Sequence, residues 1–379
     1  MNGERRFSKT VLLWVITLSV PMLFVLVAVW GYYGYKKLTF PAEFCGSFAQ
    51  PDSDVGWVLQ PNAESCYGMK DPEESSRWAF RSRIFTDRNG FRSAKPGAKT
   101  PTGAVLAIGD SWTFGYGVDH AESYPGWLSA LGDAPVVNVS SPAYSATQAL
   151  VLAERWVDTL EPTALIYLDL GFWERGACRG ETKPTWLLKP CYWVDPATGE
   201  TISVTPPKGL VARAAALGVL PGGMLGAGED GWNYFLISRP ATKVLGLLAR
   251  IGIIGGMAHD FRADGVDRRA IRAGVVRHLQ RLSATAKAPL VFLDPLDRYA
   301  DFDGAFAAND AAPIIRVGKR DWERHVIAPA RSLPAPERHV PVDGHFGPGM
   351  NRLIAKLVIQ VLEKRPGRID RNPAIETGG

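Results

Sequence analysis

Between Ala104 and Leu170, three short apolar runs alternate with two stretches of helical periodicity. Ala104 to Ile108, Val136 to Val139 and Ala164 to Leu170 have the length and composition of strands buried on both faces. Ser123 to Leu131 reads as a short helix between the first two. In the second helix Ser145 and Gln148 have capping-box spacing, and Leu150, Ala153, Val157 and Leu160 recur on one face before Pro162 stops it. Strand-helix-strand-helix-strand with short links predicts a parallel sheet. Arg268 to Ala286 adds a helical pattern, and Pro289 to Leu293 a fourth strand. Gly349 to Glu363 reads as a closing helix, with Leu353, Ile354, Leu357, Val358 and Val361 on its inner side. The expected class is α/β: a doubly wound parallel sheet of four to five strands flanked by helices. Residues 296–340 carry no pattern that assigns an element.

The first strand runs into Gly109-Asp110-Ser111, so the serine stands at the carboxyl edge of the sheet, where open α/β folds bind ligands. Thr113 occupies the place of the second glycine of a Gly-x-Ser-x-Gly elbow, which excludes that motif. Far downstream, Val342-Asp343-Gly344-His345-Phe346 precedes the closing helix. In an extended segment Asp343 and His345 share one face, so the carboxylate can orient the imidazole toward a serine. Capping of the last helix is the competing role for that pair. Trp112, Phe114 and Tyr116 flank the serine, either as a sugar-stacking or acyl-pocket wall or as core.

An early strand-turn-Ser and a late Asp-x-His resemble the SGNH (GDSL) family of serine esterases and acyltransferases, over roughly Asp87 to Leu362. Asn89-Gly90-Phe91-Arg92 is similar to the lead-in of bacterial members. The resemblance implies Ser111 as nucleophile, His345 as general base and Asp343 as its orienting carboxylate. It also implies an oxyanion hole made by the Ser111 N–H, the N–H of Ala143 within Pro142-Ala143-Tyr144, and the position of Trp173. Ala143 stands where the family has glycine, and Trp173 where it has asparagine. Losing one oxyanion donor typically costs about 2.7–4 kcal/mol of barrier lowering. The Asp-x-His spacing is one residue tighter than the frequent Asp-x-x-His. Trp112, Tyr144 and Glu174 are the expected substrate contacts. No cofactor is implied, and no metal-ligand spacing stands out among His120, His259, His278, His325 and His339.

Val11 to Tyr32 is an apolar stretch without a charge, reaching roughly 33 Å as a helix, enough to span a bilayer core. Trp30, Tyr32, Tyr33 and Tyr35 form an aromatic belt at its end. An uncleaved transmembrane anchor is favoured over a signal peptide, because the run ends in bulky aromatics rather than a small-residue cleavage site. Arg5, Arg6 and Lys9 bias the N-terminus to the cytoplasm, which puts the rest of a single-pass inner-membrane protein in the periplasm. The four cysteines all lie beyond the anchor and fall into two local pairs, Cys45 with Cys66 and Cys178 with Cys191. They read as two disulfides in an oxidising compartment, with buried free thiols as the alternative.

These boundaries divide the 379 residues into an anchor (1–37), an irregularly packed juxtamembrane segment (38–83), a catalytic domain (84–364) and a disordered polar tail (365–379). An insert at about 172–262 holds the apolar, glycine-rich Leu210 to Met257, either a lid or acceptor-binding subdomain or plain packing. The net charge of +5 is scattered, with no basic run interleaved with aromatics, which argues against a nucleic-acid partner. Resemblance to anchored bacterial members implies an esterase or O-acetyltransferase acting on acyl esters of carbohydrate, with polysaccharide-assembly proteins as partners. A catalytically weak polysaccharide-binding protein and a lipid esterase are the rival functions.

Overall fold

A computed structural model describes residues 42–71, 73–74, 76–132, 134–171, 189–194, 201–206, 268–306 and 312–364, with a few helical positions between 17 and 31. Six strands come first: β1 (Ala42–Phe44), β2 (Ala49–Asp52), β3 (Gly56–Leu59), β4 (Glu64–Lys70), β5 (Trp78–Thr86) and β6 (Arg92–Ser93). The α/β unit follows with β7 (Val105–Gly109), α1 (Ser111–Phe114), α2 (Tyr124–Leu131), β8 (Val136–Ser140), α3 (Ala146–Leu160) and β9 (Ala164–Leu168). A hairpin of β10 (Cys191–Val194) and β11 (Thr201–Val204) lies in the insert. The chain closes through α4 (Arg268–Ala286), β12 (Leu290–Leu293), β13 (Ile314–Val317), a helical stretch over residues 319–330, and α5 (Pro348–Glu363).

Nine strands form one sheet in the order β1-β4-β5-β6-β8-β7-β9-β12-β13. The five from β8 to β13 are parallel, and β1, β4, β5 and β6 extend the sheet antiparallel. Counted along the chain, the parallel strands lie in the order 2-1-3-4-5. The direction of winding therefore reverses beside β7, and a crevice opens at the carboxyl ends of β7 and β9.

Strand periodicity of two sends alternate residues into two separate cores. Leu106, Ile108, Leu165, Tyr167 and Phe292 pack with Leu150 and Val157 of α3 and with Val275 and Leu279 of α4. Val105, Ala107, Ile166, Leu168 and Val291 pack with Leu128 of α2 and with Ile354, Leu357 and Val358 of α5. Each fully buried Val, Leu, Ile or Phe among them contributes roughly 1.5–3 kcal/mol, and burial on both faces explains the continuous apolar strands. The Ser145–Gln148 capping box starts α3, and Glu161 ends it at φ +45, just before Pro162.

The structure departs from expectation at several places. Residues 38–83 are not irregular from Ala42 onward, since β1 to β5 lie there and the expected boundary at 83/84 falls inside β5. Phe48, Trp57 and Tyr67, all at most 5% exposed, join the core that contains Phe114 and Tyr144, so this segment is held by tertiary burial. Residues 296–340 supply the fifth parallel strand, β13, and the helical stretch. On α5, Leu353 and Val361 sit at the core's rim, while Met350, Asn351 and Ala355 are buried.

Cys45 and Cys66 are joined in a disulfide. Cys191 is disulfide-bonded too, and its expected partner Cys178 lies outside the described residues. Among the described residues no helix is long and apolar enough to cross a membrane. The stretch Val11 to Tyr32 lies largely outside them, as do most of the insert, Leu210 to Met257 and the tail 365–379.

Candidate active site

Ser111 is the first residue of α1, separated from β7 by Asp110 alone. The carboxylate of Asp110 caps that helix, accepting the Trp112 N–H at 3.0 Å. A Cβ at Gly109 would collide with the Thr113 side chain, so the turn needs glycine there. Two residues paired across β6 and β8, Arg92 and Asn138, hold α1 from below. Asn138 donates to the Thr113 carbonyl at 3.1 Å. The Arg92 guanidinium donates to the carbonyls of Phe114, Gly115 and Val118 at 2.5, 2.6 and 2.5 Å.

Ser111, His345 and Asp343 come together. The Ser111 hydroxyl and His345 Nε2 are 2.9 Å apart, and Asp343 Oδ1 bonds Nδ1 of the same ring. Asp343 also accepts the His345 backbone N–H, at 3.4 Å. The pair is not brought together by an extended segment, as the sequence suggested. Residues 341–343 form a tight turn, and Gly344, at φ +88, curls the chain so that carboxylate and imidazole face each other. The imidazole is 19% exposed and the carboxylate 10%, which leaves the base partly open to a ligand. Trp112 and Tyr116 flank the imidazole, with ring centroids 4.5 and 5.2 Å from it.

The other expected positions divide. Ala143 keeps a glycine-like backbone at φ +64, and its carbonyl accepts a hydrogen bond from the buried Lys189 ammonium at 2.5 Å. Tyr144 is fully buried with its hydroxyl on the Trp57 carbonyl at 2.6 Å, and its ring lines the crevice rather than reaching out of it. Phe114 is core. Trp112 packs on both His345 and Phe346. Trp173 and Glu174 lie outside the described residues.

A small pocket, with room for little more than one water molecule, lies in the crevice, lined in part by Gly109, Asp110, Tyr144, Ser145, Tyr167 and Asp169. Asp169, at the end of β9, accepts the Tyr299 hydroxyl at 2.8 Å and the Gly171 N–H at 2.6 Å, which fixes the turn after the strand. Burial pushes its carboxyl above the usual range, against the pull of those two donors. Among the described residues no cluster of three His, Cys, Asp or Glu could hold a metal ion.

Two contributors escaped the sequence reading. Tyr67 donates to Asp343 Oδ2 at 3.2 Å, across 276 positions of chain, and no local pattern marks it. Lys189 gave no sign either, sitting in the insert next to Pro190 and Cys191. Arg92 had a signal, the lead-in motif, but its role as a carbonyl clamp needed the fold. No protein-family model matches the chain, and no curated protein is significantly similar to it.

Proposed function

We propose that the chain is a serine acyl-transfer enzyme of SGNH type, an esterase or O-acetyltransferase acting on acyl esters of carbohydrate. One observation carries the reading: the Ser111 hydroxyl lies 2.9 Å from an imidazole whose other nitrogen is bonded to a carboxylate. In this reaction Ser111 Oγ attacks the ester carbonyl while His345 Nε2 takes its proton. Asp343 holds the tautomer and offsets the imidazolium charge. The oxyanion meets the Ser111 N–H, which as a first-turn donor has no intrahelical acceptor, and the N–H of Ala143. The alkoxide leaves with the proton from His345, and water or a sugar hydroxyl then releases the acyl group from Ser111.

An inner-membrane anchor at Val11 to Tyr32 and a periplasmic catalytic domain belong to the same proposal. The Cys45–Cys66 disulfide supports an oxidising compartment. The test is p-nitrophenyl acetate turnover by the full chain in detergent, beside Ser111→Ala. Turnover that drops to background in the variant is expected. Equal rates in both would sink the ester chemistry and favour a polysaccharide-binding protein, a reading consistent with Trp173 in place of the family's asparagine.

A further inference from the structure

A carboxylate that orients a histidine must itself be held. The turn that carries Asp343 does little of this alone: Val342, just before it, is 57% exposed at φ +68, and Gly344 follows at φ +88. The His345 ring and backbone N–H groups both bond Oδ1. The other oxygen, Oδ2, accepts from Tyr67, 3.2 Å away.

Tyr67 is rigidly placed. It sits within β4, opposite Phe44 of β1 and Ser82 of β5. Its neighbour Cys66 is tied to Cys45 by the disulfide. Its ring is 5% exposed and stacks on Tyr116, with centroids 4.1 Å apart and planes at 27°. Burial, and after it the charge of Asp343, pushes the phenol far above its ordinary value, so the hydroxyl keeps its proton and donates throughout the neutral range.

We infer that Tyr67 is a positioning residue of the acyl-transfer reaction: its hydroxyl fixes the Asp343 carboxylate, which makes the antiparallel extension part of the catalytic apparatus. The inference rests on the function proposed above. A buried phenol also needs a hydrogen-bond partner for stability alone, so the test must separate orientation from structure.

The experiment uses the full chain in detergent, with Tyr67→Phe made both alone and in an Asp343→Ala background. Ester turnover is followed with p-nitrophenyl acetate, and the reactivity of Ser111 by the rate of fluorophosphonate labelling. Melting temperature is recorded for each variant. Tyr67→Phe keeps the stacked ring and removes the bond to the carboxylate together with the hydroxyl's hydrogen bond to Tyr116, so about a tenfold loss of kcat/KM is expected, carried by kcat. In the Asp343→Ala background the same change should leave the labelling rate unaltered, because the hydroxyl then has no carboxylate to orient. A wild-type rate for Tyr67→Phe, the same fractional loss in both backgrounds, or a variant that fails to fold would each overturn the role of Tyr67 while leaving the serine chemistry standing. Equal turnover by wild type and Ser111→Ala would overturn both.

Discussion

Replacing Arg92 by Met tests what holds the serine in place. Arg92 is 2% exposed and its guanidinium satisfies three buried carbonyls around the end of α1, those of Phe114, Gly115 and Val118. Methionine keeps most of the buried stem, so the cavity term is small, but it donates to none of them. Each buried acceptor left without a partner costs about 1–3 kcal/mol, a gross loss of about 3–9 kcal/mol. Part of that is returned, because a charge is no longer buried: Asp119 and Glu122 attract the guanidinium but none of the described carboxylates bonds it, and its desolvation is worth several kcal/mol. The net expectation is a destabilisation of about 3 kcal/mol, with ester turnover falling further than stability because the loop behind Ser111 loosens. Equilibrium urea denaturation followed by tryptophan fluorescence, beside p-nitrophenyl acetate rates, measures both. Stability within about 1 kcal/mol of wild type, with turnover unchanged, would refute the clamp.

His120 makes stability depend on pH. Burial, reinforced by the Arg92 charge, brings its imidazole down to about 4 from 6.5. Between those values the unfolded chain takes up a proton that the folded chain refuses. Stability is therefore intact above about pH 6.5 and falls by up to about 3 kcal/mol as the pH drops toward 4. His120→Gln should flatten that part of the urea-midpoint profile, and an unchanged slope would count against the assignment. Ala143 holds φ +64, a conformation that costs a residue with a Cβ about 1–2 kcal/mol, offset in part by the extra unfolded-state freedom of glycine. Ala143→Gly should thus stabilise the protein by up to about 1 kcal/mol and preserve turnover, and a lower urea midpoint would show that the methyl group packs usefully.

Much of the α/β unit is legible in the sequence because its signals are local. The apolar runs that became β7, β8, β9 and β12, the capping box of α3 and the periodicity of α4 are all read within a few residues. Ser111 and the Asp343–His345 pair stand out for the same reason, one at a strand end and the other at a two-residue spacing. The antiparallel extension is different. Its main strands, β4 and β5, are seven and nine residues long, but Tyr67 there, like Phe48 and Trp57 beside it in the chain, is held by burial against residues far along the sequence, which no local window contains. β13 was hidden likewise: four residues that become a strand only beside β12.

Local signals along the chain thus specify the α/β class with its parallel strands, the strand that delivers the serine and the candidate catalytic residue types. How these meet depends on long-range packing. The reversal of winding beside β7 opens the crevice. A left-handed glycine, rather than an extended segment, turns Asp343 toward His345. Arg92, Asn138, Lys189 and Tyr67 support the site through contacts that span up to 276 positions of chain. The division follows the physics: periodicity and capping act within a turn or a strand, whereas buried polar groups find their partners wherever packing brings them.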